Sequence, residues 1–177
     1  MDNTQKVQQA YEVFKILEDD GVFPNNSKLP LIIYKGALSL LPGDDTSVIV
    51  NVFKQNDWTN SWINGIFDYH LYHSTTHEVL GVFTGTADVQ LGGPHGVCIE
   101  LSRGDVLIIP AGVARKCTFC SEDLSVVGAY PEGKNYDMNY GIEGERPRTD
   151  ENIAGADLPG KDPIYGEDGP LKQNWIL

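Results

Sequence analysis

From Val13 onward the chain reads as short apolar runs broken by turn residues. Phe14-Lys15-Ile16-Leu17 leads into the turn signal Asp19-Asp20-Gly21, and Leu31-Ile32-Ile33-Tyr34 lies between Pro30 and Gly36, so both read as strands. Residues 5–17 also read as a helix with Val7, Ala10, Tyr11 and Phe14 on one face, and periodicity leaves both readings open. A clearer helix follows. Behind the capping candidates Asp45 and Thr46, the apolar residues Val48, Ile49, Val52 and Phe53 recur at helical spacing, predicting a short amphipathic helix over 47–56. Between about residues 62 and 130 the period changes to that of strands: 66–73, 79–83, 87–91, 97–101, 106–109, 114–119 and 124–129. Each run is bounded by Gly, Pro, Asp or Ser, and such regular spacing predicts an all-β antiparallel sandwich or closed barrel.

Beyond Pro131 the composition shifts to Gly, Pro, Asp and Glu, with one late apolar knot at Trp175-Ile176-Leu177. The spaced aromatics Tyr136, Tyr140, Tyr165 and Trp175 predict an extended tail anchored on the barrel, and a flexible tail is the alternative. The expected division is an N-terminal segment over 1–29, a barrel over 30–130 and a wrapped tail over 131–177, together one domain. With 177 residues the chain can bury a core of its own without staples. The net charge of -12 argues against a nucleic-acid partner or an anionic membrane surface, both of which call for clustered Lys and Arg. Nothing resembles a secretory leader or a membrane helix, so the expected setting is cytoplasmic. The three cysteines, Cys98, Cys117 and Cys120, are an odd count that suits reduced thiols, and the single Cys117-Thr118-Phe119-Cys120 run reads as buried or edge thiols.

The candidate chemistry is concentrated at one corner. His70, His73 and His77 fall in eight residues and abut Glu78, in the string His70-Leu71-Tyr72-His73-Ser74-Thr75-Thr76-His77-Glu78. Imidazoles with a carboxylate are a ligand set for iron, zinc, manganese or nickel; they equally make a polar corner in which histidines cap and hydrogen-bond. His95, in a Gly-rich turn, reads as a solvent-facing loop residue. Tyr69 and Tyr72 read as packing aromatics, either of which could bring a phenol to a pocket mouth.

The spacing resembles the two motifs of the cupin superfamily. The first runs Gly65, five residues, Leu71-Tyr72-His73, four residues, Glu78, six residues, Gly85; the second runs Gly104, five residues, Pro110-Ala111-Gly112, two residues, Arg115. In the family pattern Leu71 and Arg115 stand where histidines belong, and Phe119 where an Asn belongs. The strings His73–Gly81, Gly104–Val113, Val127–Pro131 and Asp162–Gly166 resemble the YjlB-like group of single-domain cupins, from about Pro30 to the C-terminus. The resemblance implies a double-stranded β-helix, the cupin jelly-roll barrel of RmlC-like proteins, with a homodimer as the assembly. It implies little about function, because one fold hosts many chemistries.

Two of four ligand positions are thus replaced. Alternation along a strand puts Leu71 with His73 and turns His70 and Tyr72 away, unless a bulge shifts the register. A permanently charged guanidinium at 115 would share the cavity with His73 and Glu78 and repel a divalent cation, so Arg115 supplies the positive charge a metal would bring. Its alternative is a side chain in solvent beside an apolar cavity. The expected site has His73, Glu78 and Arg115 as acid, base and anion holder, with Leu71, Tyr72 and Arg115 against the ligand. The expected function is acid/base chemistry, of isomerase, epimerase or cyclase type, on a small carbonyl or carboxylate compound, with no cofactor or a weakly bound divalent metal. Two alternatives stand beside it: a metal-dependent oxidoreductase or dioxygenase using His73, Glu78 and either His70 or His77, and a non-catalytic ligand-binding protein.

Overall fold

The computed structural model describes residues 6–177, so the first five residues of the N-terminal segment lie outside the described residues. In chain order it comprises β1 (Tyr11–Leu17), β2 (Asn26–Lys35), α1 (Ser47–Gln55), β3 (Trp58–Asn64), β4 (Glu78–Thr84), β5 (Thr86–Leu91), β6 (Val97–Ser102), β7 (Val106–Ile109), β8 (Arg115–Cys120), β9 (Ser125–Pro131), α2 (Arg148–Gly155) and α3 (Pro170–Asn174). Antiparallel pairing gives a six-stranded sheet in the order β1-β2-β7-β4-β9-β3 and a three-stranded sheet in the order β6-β5-β8. This is an antiparallel barrel of the kind the strand spacing predicts, and the jelly-roll that the cupin resemblance implies.

The larger sheet is buried on both faces, which explains why β2 and β7 are almost continuously apolar. One face, carrying Leu31, Ile33, Leu80, Val82, Leu107 and Ile109, meets Val89, Leu91 and Leu101 of the smaller sheet to form the barrel interior. The other face, carrying Ile32, Tyr34, Val79, Ile108 and Val127, is covered by Ile49, Val52 and Phe53 of α1 and by Ile164, Leu171 and Trp175 of the tail. Glu78 begins β4 two residues before Leu80, so the strand's period carries it toward the interior.

The tail is anchored by polar contacts as well as apolar ones. Trp175, nearly fully buried, donates its indole N–H to the Pro30 carbonyl at 2.8 Å. Asp162, fully buried, accepts the backbone N–H groups of Ile164, Tyr165 and Leu171 and the Tyr34 hydroxyl. Four details resolve or correct the sequence reading. Of the two readings open for 5–17, the structure takes the strand, from Tyr11 onward, because β1 pairs in register with β2 from Tyr11↔Lys35. The tail is extended only in part, since it includes α2 and α3. The strand expected over 66–73 is absent; the strand lies earlier, as β3, and 66–73 keeps only isolated bridges at Leu71 and Tyr72. Tertiary spacing is the cause: the Leu71 N–H bonds to the Arg115 carbonyl while Cys117 N–H reaches the Phe67 carbonyl, so four residues on one side span two on the other and 68–70 loop out.

The fourth difference is a disulfide between Cys117 and Cys120, where reduced thiols were expected. Residues three apart in a regular strand face opposite sides. Here Asp88 is opposite Phe119 and Val89 opposite Cys117, which leaves Thr118 as an extra, bulged residue and turns both sulfurs to one side.

Candidate functional site

His73 is set by its backbone and by the tail. The turn Pro110-Ala111-Gly112 takes the His73 carbonyl on the Gly112 N–H at 2.7 Å. Gly112 has φ +96°, and a Cβ there would stand 2.3 Å from the Asn25 carbonyl oxygen, so this turn requires glycine. From the tail, Asp137 locks the adjacent Ser74-Thr75 corner: its carboxylate accepts from both backbone N–H groups, the Ser74 hydroxyl and the Asn139 amide. Those donors hold the Asp137 carboxyl down at about 2 against the upward push of its burial.

The Asp137 carbonyl then meets His73 Nδ1. A carbonyl only accepts, so Nδ1 carries the proton and Nε2 presents a lone pair. That lone pair lies 2.7 Å from Arg115 Nη2, a donor only. The His73 Nε2 approach to Glu78 Oε2, 3.4 Å, is therefore not an ion pair, because the proton that would make one sits on the other nitrogen. Arg115 Nη1 reaches Glu78 Oε1 at 2.6 Å. This contact pairs opposite charges, and the Tyr130 hydroxyl also faces the Glu78 carboxylate. Burial pushes the Glu78 carboxyl up, but the adjacent guanidinium overrides it and holds the group at about 2. All three side chains are buried, at 4% (His73), 1% (Glu78) and 7% (Arg115) exposed.

Above this trio opens a cavity of about 280 Å³ whose walls are Trp62, Phe67, Tyr130, Tyr136, Ile66 and Met138, with His73 and Arg115 on its floor. Tyr130 and Tyr136 stack at 4.8 Å, and Tyr136 also tilts over the His73 ring at 4.8 Å. Trp62 donates its indole N–H to the Tyr130 hydroxyl at 2.8 Å, and burial, together with the nearby Glu78 charge, pushes that phenol well up. Glu78 lies behind the floor and does not line the cavity.

The other expected residues go elsewhere. Leu71 is buried and exchanges two backbone hydrogen bonds with Arg115, at 3.1 and 2.9 Å, without lining the cavity. The fully buried Tyr72 points to Glu145 and Thr149, its hydroxyl 3.2 and 3.1 Å from them. His70, on the looped-out stretch, packs against Phe23 at 5.3 Å, and burial lowers its pKa. Both ring nitrogens of His77 serve the backbone: Nδ1 accepts from the Ala111 N–H at 2.9 Å and Nε2 donates to the Asp157 carbonyl at 3.1 Å. Its burial lowers the His77 pKa to about 4.

A divalent metal, which the motif pattern implies, fits this donor set badly. Two donors remain, His73 and Glu78, and an ion between them would have to take the space of a guanidinium that already contacts both. Among the described residues no group of three or more His, Cys, Asp and Glu side chains is gathered to hold one ion. Nor is any helix among them long and apolar enough to cross a membrane.

An antiparallel jelly-roll with both glycine-bounded motifs at the mouth of its interior defines a cupin. Within that class the chain belongs to the YjlB family: it is 42% identical over 158 residues to the uncharacterized protein YjlB of Bacillus subtilis (strain 168), covering 89% of this chain and 93% of that one. No protein-family model matches the chain. Likenesses to solved structures are remote. Acireductone dioxygenase from Bacillus anthracis, with cadmium in its active centre, aligns over 54% of this chain and 66% of its own at 16% identity and TM-score 0.40. The dTDP-6-deoxy-D-glucose-3,5-epimerase of Legionella pneumophila aligns over 72% and 74% at 14% identity and TM-score 0.37. Tomato vicilin aligns over 86% of this chain, at 15% identity and TM-score 0.40, while the chain spans only 39% of it.

Proposed function

We propose that the aromatic cavity binds a small planar anion, held by Arg115, and that His73 moves a proton on it. The observation that carries this reading is that, among the described residues, Arg115 is the sole formally charged side chain lining a cavity walled mostly by aromatic and aliphatic groups, with His73 and Asn64 beside it. Flat ring faces favour a flat ligand, and a guanidinium pairs bidentately with a carboxylate or enolate. The cavity volume lies at the lower end for ligand sites, which suits a single ring or a short unsaturated acid.

Glu78 is a poor base when its carboxyl is held at about 2, so its role is to fix the guanidinium. His73 has the better credentials. Its Nδ1 proton is committed to a carbonyl, which leaves the Nε2 lone pair as a proton acceptor once a bound anion draws Arg115 Nη2 from it. The chemistry is then removal of a proton from a carbon beside the carboxylate or carbonyl and its return elsewhere, as in isomerisation, epimerisation or cyclisation. A homodimer accompanies this reading, checked by light scattering.

The engagement of Nε2 by Arg115 also favours a second reading, capture of the anion without turnover. One experiment addresses both. The protein is screened by thermal shift against small ring carboxylates and the matching amides, and each stabilising compound is incubated with it in deuterium oxide. The proposal expects carboxylates to stabilise, amides to fail, and one carbon-bound deuterium to appear in a stabilising compound. Binding without deuterium uptake supports capture only; equal binding of amides overturns the role of Arg115.

A further inference from the structure

The Cys117–Cys120 disulfide is not used by the cavity, yet its position is specific. A crosslink stabilises chiefly by restricting the unfolded chain, and the gain shrinks with the loop it closes; with two residues between its cysteines this one is a weak staple. What it does span is the bulge at Thr118 in β8. The same strand clamps the cavity wall. Arg115 exchanges its two backbone bonds with Leu71, and the Cys117 N–H donates to the Phe67 carbonyl at 2.8 Å, so both ends of the looped-out stretch 67–71 hang on residues beside the bridge. Phe67 itself lines the cavity. Cys117 is buried, at 5% exposed, whereas Cys120 is partly open to solvent.

We propose that Cys117 and Cys120 form a reversible thiol–disulfide couple that exchanges with low-molecular-weight thiols and disulfides, and that its oxidised state fixes the clamp of β8 on the 67–71 wall. In reduction, a small thiolate attacks the accessible Cys120 sulfur; the S–S bond breaks, and Cys117 leaves as a thiolate that takes a proton. A second small thiolate attacks the outer sulfur of the mixed disulfide and releases Cys120, which takes the second proton. Two electrons pass from two small thiols to the pair, and the small thiols leave as their disulfide. The couple acts on the strand and does not depend on what the cavity binds.

The test equilibrates the intact protein in buffers of reduced and oxidised glutathione at varied ratio, quenches with an alkylating agent and weighs it. Three alkylatable cysteines in reducing buffer should fall to one, Cys98, in oxidising buffer, with loss of two hydrogens from the pair; a glutathione adduct on exposed Cys98 is distinguished by its added mass. Cys120→Ser should lose this paired transition. In the wild-type protein, amide hydrogen exchange over residues 65–73 should be faster in the reduced state, and this needs no variant. Failure of the pair to cycle between dithiol and disulfide across these ratios, or equal exchange over 65–73 in both states, overturns the proposal.

Discussion

Arg115 Nη1 lies 2.6 Å from Glu78 Oε1, and the same guanidinium offers Nη2 to His73 at 2.7 Å. One side chain thus neutralises a buried carboxylate and occupies the lone pair of a buried imidazole. In a conventional metal-bearing corner, an inorganic cation would have to satisfy both groups; here an arginine on β8 does so, with its backbone fixed by Leu71.

The pair is asymmetric toward mutation. Arg115→Met leaves Glu78 buried without a counter-ion and should cost about 3–5 kcal/mol. Changing both partners together, Arg115→Met with Glu78→Leu, should be far less damaging, because no charge remains buried. Urea unfolding of the single and double variants measures the difference; equal losses would show that the ion pair is not the unit.

His77 should dominate the loss of stability on mild acidification. Its folded pKa of about 4 lies below the ordinary histidine value, so between about 6.5 and 4 the unfolded chain takes up a proton that the folded one refuses. Stability is therefore full above the unfolded pKa and falls as pH drops through that window, by on the order of 3 kcal/mol. His77→Gln, which keeps an acceptor and a donor, should flatten this part of the curve in chemical unfolding followed from pH 7 to 4.

A second acid limb belongs to the carboxylate. Glu78 is held at about 2, below its ordinary value, so its contribution is present above the unfolded pKa near 4.5 and is lost as pH falls toward 2. Asp137, also held at about 2, adds to the same limb, so Glu78→Gln should shrink it while leaving the His77 window intact.

Truncating the tail's anchor tests its structural share. Trp175→Ala removes a buried indole and its bond to the Pro30 carbonyl, and should destabilise by about 3–5 kcal/mol in thermal or denaturant unfolding. A loss below 1 kcal/mol would mean that the tail is not part of the cooperative unit.

Residues that act through local period or fixed motif spacing were legible in the sequence. The α1 face of Ile49, Val52 and Phe53 and the glycine turn at 112 follow directly from spacing, and both fall where the pattern puts them. The placement of His73, Glu78 and Arg115 in one group follows from the family motif together with strand alternation. The remainder depends on partners far along the chain. Trp58–Asn64 carries mostly exposed positions at the edge of its sheet, so no apolar run announces it. Asp137, Tyr136 and Tyr130 join the site from the tail and from β9, and Asp137 meets His73 across 64 positions, beyond any local pattern. The disulfide hinges on a one-residue bulge, which strand periodicity cannot show.

Metal titration of wild type against Arg115→His tests the central substitution of organic for inorganic cation most directly. Protein stripped with chelator is titrated calorimetrically with zinc, manganese, nickel and ferrous iron. The wild type should bind none of them stoichiometrically, while Arg115→His, which vacates the guanidinium's space and adds an imidazole, should gain a site. Near-stoichiometric, tight binding by the wild type, abolished by His73→Ala, would contradict the account.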